Sequence, residues 1–527
     1  MPWITLIVIC LFLVLCLGLV AFRWSKATDP EPVSHTVNSG KYNWESPTFE
    51  ASGPFFIKPW LQPGASADYD SAGEALELVF HTSQRPTSCR VELYKLQDPL
   101  TAVAVLRPDG QALNLPSVAN QVQFRVKLSG LNPDTVYAYR IFFGVDEVFA
   151  STFSTRKEKG APFRAIVFGD MGSGSPWQKQ IAQQMAVPDQ AATGHIKPRG
   201  ADLIVSTGDV VYHHGRFNEY LSRFFPVYQD LLSRSMLLTC VGNHDMAKYD
   251  PETLMSFSDY PDLMAYFVLF SQPLNGPPAV THNLGENELS AAGGQQVGAN
   301  LPPMTGDIDA RKALVTAAGD RYPRMANFSY DYGSAHFLFL DANTYMDWSE
   351  EKWRAYVRED LRKVPQGIWK VVILHQPPFT SNVKHQREQG MRFLADIFEE
   401  EGVNLVFCGH AHCYERSRPI KFKVQGGINA QARRVEGYVP GSVTMDYDYD
   451  GVTVKKPNGV IYIVTGGGGA KLDSINLHNQ PGQWQPWTAK LVGDRHSFSL
   501  VDFGKDEITV RQIDINGLEV DRFQICR

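Results

Sequence analysis

Cysteine is scarce in this chain and shows no pattern, with seven in 527 residues. Cys10 and Cys16 lie in an apolar N-terminal run. Cys89, Cys240, Cys408, Cys413 and Cys526 remain, an odd number without a C-x-x-C pair, so neither a zinc-type spacing nor a disulfide pairing can be read. Cys240 and Cys408 end apolar runs and are expected in core strands. Excess positive charge is also missing. Lys and Arg number 50 against 56 Asp and Glu, a net charge of −6 that offers no electrostatic footprint for nucleic acid. Internal repeats and low-complexity tracts are absent. A hydrophobic fraction of 43% with 20% charged residues excludes a disordered chain. The length calls for more than one domain, each able to bury its own core.

One long apolar run is present. Trp3 to Phe22 carries no charge and is long enough to cross a bilayer as a helix. No Lys or Arg precedes it, and Leu19-Val20-Ala21 is a poor cleavage site, so an uncleaved single-pass anchor is favoured over a cleaved signal in residues 1–26. Arg23 and Lys26 after the run argue on their own for a cytosolic C-terminal side. Residues 27–53, polar and rich in Pro, Ser, Thr and Asn, read as a linker.

From 54 to 156, short stretches alternate with period two: Leu76–Phe80, Gln121–Val126 and Val136–Ile141. About 100 residues of this pattern predict an all-β sandwich. The string from Leu128 to Arg140 resembles the late strands of a fibronectin type III module. From 160 to 527, apolar strands alternate with helical patterns at Phe217–Leu232, Glu350–Arg362 and Gly390–Glu401, the signature of an α/β domain. Residues 246–321 interrupt that rhythm and are expected to be an insertion forming a rim over the site. Asn516-Gly517 predicts a hairpin turn in the closing strands.

Five apolar runs in this second region end in metal-binding side chains. They close in Gly169-Asp170, Gly208-Asp209-Val210-Val211-Tyr212, Gly242-Asn243-His244-Asp245, His375, and Gly409-His410-Ala411-His412. Each alone is an ordinary turn or strand end. Five in order, each at the tip of a buried strand, would converge beside the crevice where open α/β sheets bind ligands. The oxygen and nitrogen donors suffice for two metal ions. A carboxylate bridging two cations can hold them about 3.5–4 Å apart. Tyr212, three residues past Asp209, could reach the same ion, and a phenol of ordinary pKa near 10 binds at neutral pH to a strong Lewis acid such as Fe(3+). His410 and His412 could face different ions only if the backbone turns between them.

This ordered set resembles the calcineurin-like metallophosphoesterases, and Tyr212 in the second motif narrows the resemblance to the purple acid phosphatases. It extends over roughly Phe55 to Arg527, and includes Gly409-His-Ala-His-Cys-Tyr-Glu-Arg416, Gly466–Gly469 and Tyr330–Asp341. The resemblance implies a catalytic domain of two packed mixed sheets flanked by helices. It implies Fe(3+) held by Asp170, Asp209, Tyr212 and His412, and a second divalent ion (Zn, Mn or Fe) held by Asp209, Asn243, His375 and His410. His244 would contact the phosphate and protonate the leaving group. His385 matches a histidine near the substrate in plant members, although Lys384 and Gln386 replace its aromatic neighbours. His213 and His214 fall where the family varies and are read as rim residues. The implied activity is acid hydrolysis of phosphomonoesters by a metal-bound hydroxide. A phosphodiesterase or nucleotide pyrophosphatase using the same two ions is the alternative, and an adhesion module with a relic site is a third reading. Ferric–phenolate chemistry and the sequon Asn327-Phe328-Ser329 point to an extracytoplasmic, anchored or secreted protein.

Overall fold

Two β-sheets packed face to face organise the molecule, and the reason is visible residue by residue. In the computed structural model, which describes residues 53–64, 74–187, 197, 199–246, 256–277, 304–425 and 437–527, the strand Phe163–Phe168 lies inside a six-stranded sheet. Phe163, Ala165 and Val167 point to one core; Ile166 and Phe168 point to another. The same split divides Leu203 and Val205 from Ile204, Val371 and Ile373 from Val372 and Leu374, and Leu405 and Phe407 from Val406 and Cys408. One core fills the space between the sheets, and the other fills the space under the helices. Strands buried on both faces must be apolar at every position, which is why these runs show no alternation.

The six-stranded sheet runs Leu237–Thr239, Leu203–Ser206, Phe163–Phe168, Ser497–Phe503, Glu507–Asp514, Glu519–Cys526, its first three strands parallel. The seven-stranded sheet runs Phe328–Tyr332, Ala335–Leu340, Trp369–Leu374, Leu405–Cys408, Ile461–Thr465, Tyr414–Ser417, Thr488–Val492, with four central parallel strands. The closing hairpin pairs Glu507–Asp514 with Glu519–Cys526 around Gly517, whose φ of 82° only glycine adopts freely. Cys240 and Cys408 are fully buried free thiols.

Two four-stranded antiparallel sheets between Phe55 and Ser154 form the N-terminal sandwich. It is clamped to the α/β part by a buried ion pair, Arg156 with Glu74, with the guanidinium 4.6 Å over the Tyr330 ring. All the described residues belong to one compact unit.

Several expectations are adjusted. The helix expected over Phe217–Leu232 is three pieces, Phe217–Glu219, a π turn Tyr220–Phe224, and Phe225–Leu232. Pro226 has no N–H to donate, and the chain passes it by widening the preceding turn. The described parts of the insertion pack into the core and against the sandwich. Tyr266–Leu269 is fully buried, and the Val268 and Leu269 carbonyls accept from Arg125 and Gln62 of the sandwich. The sequon is inaccessible, since Asn327 is buried with its side-chain oxygen accepting from the Asp341 N–H. The apolar run Trp3–Phe22 and residues 27–52 lie outside the described residues. Among the described residues no helix is long and apolar enough to cross a membrane.

Candidate metal centre

The parallel strands deliver their C-terminal ends to one place. Asp170 follows Phe163–Phe168 by two residues, Asp209 follows Leu203–Ser206 by three, His375 directly follows Trp369–Leu374, and His410 follows Leu405–Cys408 by two. At Asp170, Asp209 and His410 the backbone turns through φ of 59°, 51° and 68°, a region costly for residues other than glycine. The turn at His410 is the one His410 and His412 needed in order to diverge.

The structure brings all seven expected donors together. The Tyr212 hydroxyl lies 2.9 Å from Asp170 Oδ1 and 3.0 Å from His412 Nε2. His375 Nε2 lies 3.3 Å from Asp209 Oδ1, 3.2 Å from Asn243 Oδ1 and 3.3 Å from His410 Nδ1. Asp170, Asp209 and His375 offer atoms within 4.8 Å of one another.

Hydrogen-bond accounting shows what this cluster is shaped for. His375 Nδ1 donates to the Thr207 carbonyl at 2.7 Å, so Nε2 of the neutral ring carries a lone pair. That lone pair faces a carboxylate oxygen, an amide oxygen and another imidazole nitrogen. His412 Nδ1 likewise donates to the Lys471 carbonyl at 2.7 Å, and its Nε2 converges with Asp170 on a single phenolic proton. Acceptors outnumber protons in a buried pocket, an arrangement that a cation satisfies. Burial disfavours the charged form of His375; with no ion present, Asp209 and then Asp170 outweigh it and favour a proton on Nε2, pushing the ring up to about 10, and a cation would stand in that proton's place. Burial also works against ionisation of Asp209, yet His375 and His244 hold it well below the carboxylate range. Burial, reinforced by Asp170 and Asp209, drives Tyr212 well above its ordinary value, so forming a phenolate demands a strong Lewis acid.

The glycines make room for neighbouring strands. A Cβ on Gly208 would sit 2.8 Å from the Gly242 nitrogen, and one on Gly242 would sit 2.1 Å from Asp209 Oδ1.

His244 lies on the Tyr212 side, its ring 4.4 Å from the phenol ring and its Nδ1 2.7 Å from the His213 carbonyl. His385 lies on the His410 side, rings 3.9 Å apart. Sequence reading missed three supporting carboxylates. Glu388 accepts from His385 Nδ1 at 3.0 Å and from His410 Nε2 at 2.8 Å. Asp473 Oδ1 accepts from the His412 N–H at 3.0 Å, and its other oxygen lies 3.4 Å from His385 Nε2. Asp245, fully buried, ties the Val210 and Gly242 N–H groups to the Tyr220 hydroxyl. Only Asp245 carried a signal, as the last residue of its strand-end motif.

Residues 163–414 match the calcineurin-like phosphoesterase family. The chain is 24% identical over 346 residues to purple acid phosphatase 23 of Arabidopsis thaliana, covering 62% of this chain and 64% of that protein. It is 24% identical over 393 residues to acid phosphatase type 7 of Mus musculus, covering 70% and 68%. The chain thus spans under two-thirds of the length of the first of these relatives. The fold is shared with purple acid phosphatase PPD1 from seeds of yellow lupin (Lupinus luteus), at a TM-score of 0.58 and 16% identity, covering 90% of this chain and 74% of that one.

Proposed function

We propose that this chain, which belongs to the purple acid phosphatases among the calcineurin-like phosphoesterases, is a binuclear-metal acid phosphatase acting on phosphomonoesters. The observation that carries the reading is the convergence of Asp209, Asn243 and His410, from three other strand ends, on His375 Nε2. Asp170, Asp209, Tyr212 and His412 would hold Fe(3+). Asp209, Asn243, His375 and His410 would hold a divalent Zn, Mn or Fe ion, with Asp209 shared.

When bound, such a pair of ions neutralises phosphate oxygens and lowers the pKa of water. The chain's own residues do the rest. The Thr207 and Lys471 carbonyls fix the His375 and His412 tautomers, so the donor set is oriented before any ion arrives. His244, held by the His213 carbonyl, stands where a phosphate oxygen or leaving group would come, and it is placed to donate a proton there. His385 offers a second donor beside His410, held between Glu388 and Asp473. Placement of the catalytic region outside the cytosol, anchored by the N-terminal apolar segment or secreted, is part of the proposal.

Elemental analysis and a visible spectrum of the purified protein test the metal assignment. Two ions per chain with a visible band lost in Tyr212→Phe are expected, and a metal-free active protein refutes it. Comparing p-nitrophenyl phosphate with its bis ester tests the reaction; faster turnover of the bis ester favours the phosphodiesterase alternative. Protease shaving of intact cells tests location, and a catalytic region protected until lysis overturns it.

A further inference from the structure

The loop that carries Tyr212 is gripped by one short stretch of helix. The peptide group joining Tyr212 to His213 is held at both ends. Its carbonyl accepts from the Arg223 guanidinium, and its N–H donates to Glu219 Oε1 at 2.6 Å. Those two side chains, four residues apart, face each other as an ion pair at 3.8 Å. The second Glu219 oxygen accepts from the His214 N–H at 3.0 Å and the Arg216 N–H at 3.1 Å. Tyr220, next to Glu219, donates its hydroxyl to Asp245 at 3.0 Å, and the same Asp245 oxygen accepts from the Val210 N–H at 3.0 Å. The backbone from Val210 to His214 therefore hangs from Glu219, Tyr220 and Arg223, all carried by residues 217–224.

Arg223 reaches the other ligand loop as well. Its stem lies against Gly174, where a Cβ would sit 3.4 Å from the arginine Cγ, and its carbonyl accepts from Gln178 at 2.7 Å. Gly174 closes the loop that begins at Asp170. The two loops are laced together, Met171 N–H to the Asp209 carbonyl and Tyr212 N–H to the Gly172 carbonyl, each at 3.1 Å. The Tyr212 hydroxyl meets Asp170 and His412 only while its own peptide stays at this height. Charge-assisted hydrogen bonds are about twice as strong as neutral ones, and the guanidinium fork is rigid, so the grip suits a part that must not drift. We propose that the Arg223–Glu219 pair is a positioning device for the Fe(3+) half of the centre, fixing the Tyr212–His213 peptide so that the phenol oxygen is presented to the ion. The pair touches neither ion nor substrate. The proposal rests on the metal reading of the same site and adds what holds its tyrosine.

The test uses Arg223→Ala, Arg223→Lys and Glu219→Gln in the full-length, metal-loaded protein. Residues one step outside a metal ligand are worth about 10–100-fold in affinity. In Arg223→Ala, Fe(3+) is expected to pass to a chelator about tenfold faster, and the visible band of the phenolate–iron bond to shift and weaken, while the divalent ion is retained as in the wild type. Arg223→Lys keeps a charge and a donor, and brings most of the band back. A merely structural role would lower the melting temperature without moving the band. Glu219→Gln keeps the shape and carries the same test should Arg223→Ala fail to fold. An unshifted band with unchanged iron release in the alanine and glutamine variants overturns the proposal. A wild type that takes up no iron overturns the metal reading instead. Crystal structures of the metal-free protein then decide the positioning claim: the Tyr212 hydroxyl is expected to leave Asp170 and His412 in Arg223→Ala, and a phenol that stays in place overturns it.

Discussion

Glu388 is where a single atom exchange tests how the site is held. Its two carboxylate oxygens are divided between two imidazoles, one accepting from His385 Nδ1 and the other from His410 Nε2. Burial works against its charge, but His410 and His385 outweigh it and hold the carboxyl well below the usual range. In Glu388→Gln the shape is kept, but only one oxygen remains to accept. One imidazole N–H must then face an amide NH2. Hydrogen bonds to charged groups are each worth about 1.5–3 kcal/mol. Outer partners of metal-ligating histidines are worth about 10–100-fold in affinity or rate. The Glu388 side chain is 30% exposed, so water replaces part of what is lost and the lower end applies, about tenfold. Two readouts separate the partners. If His410 loses its orientation, the divalent ion is stripped more readily by dialysis against a chelator. If His385 loses its partner, kcat falls more for an alkyl phosphate, whose leaving group needs a proton, than for p-nitrophenyl phosphate. Burial lowers the His385 pKa while Asp473 and Glu388 raise it, so the alkaline limb for the alkyl ester moves to lower pH in the variant. Unchanged metal retention together with unchanged kcat for both esters would refute the reasoning.

Gly242→Ala places a methyl 2.1 Å from Asp209 Oδ1, so the shared carboxylate must move; loss of both ions by elemental analysis is expected, in a protein that still folds by circular dichroism. His336, between Asp331 at 2.7 Å and Asp360 at 2.9 Å, is raised to about 9, the two aspartates overcoming burial. Its folded pKa lies above the unfolded value, so about 3 kcal/mol of stability is present below pH 6.5 and is lost as pH rises through 9. Urea midpoints of the wild type should drop over that window while those of His336→Gln stay flat. Glu74→Gln removes the carboxylate paired with the buried Arg156 guanidinium and should cost about 3–5 kcal/mol in thermal or urea unfolding. A loss within error would show that the clamp between sandwich and α/β part is not electrostatic.

The strand-end donors were legible from the sequence for a local reason. Asp170, Asp209, His375 and His410 each lie within three residues of an apolar strand. Burial on both faces writes such a strand as an unbroken hydrophobic run, so the run and its terminal ligand sit in one short window. The sandwich was legible for the opposite reason, because one face of its strands meets solvent and the alternation survives, as in Val136–Phe143. What the sequence could not decide depends on contacts between distant segments. The choice of Ile166 for one core and Val167 for the other follows from which face of the sheet meets the second sheet. The buried turn Tyr266–Leu269 sits in a stretch read as a rim, and only its contacts with Arg125 and Gln62 reveal a bracket between the two parts. Glu388 and Asp473 lie in connecting segments without periodicity; they reach His385 from either side only once loops 85 residues apart are folded against each other. Periodicity records the environment of a residue's own element, whereas a hydrogen-bond partner supplied by another loop leaves no trace in local pattern, and that part of the site belongs to the tertiary structure alone.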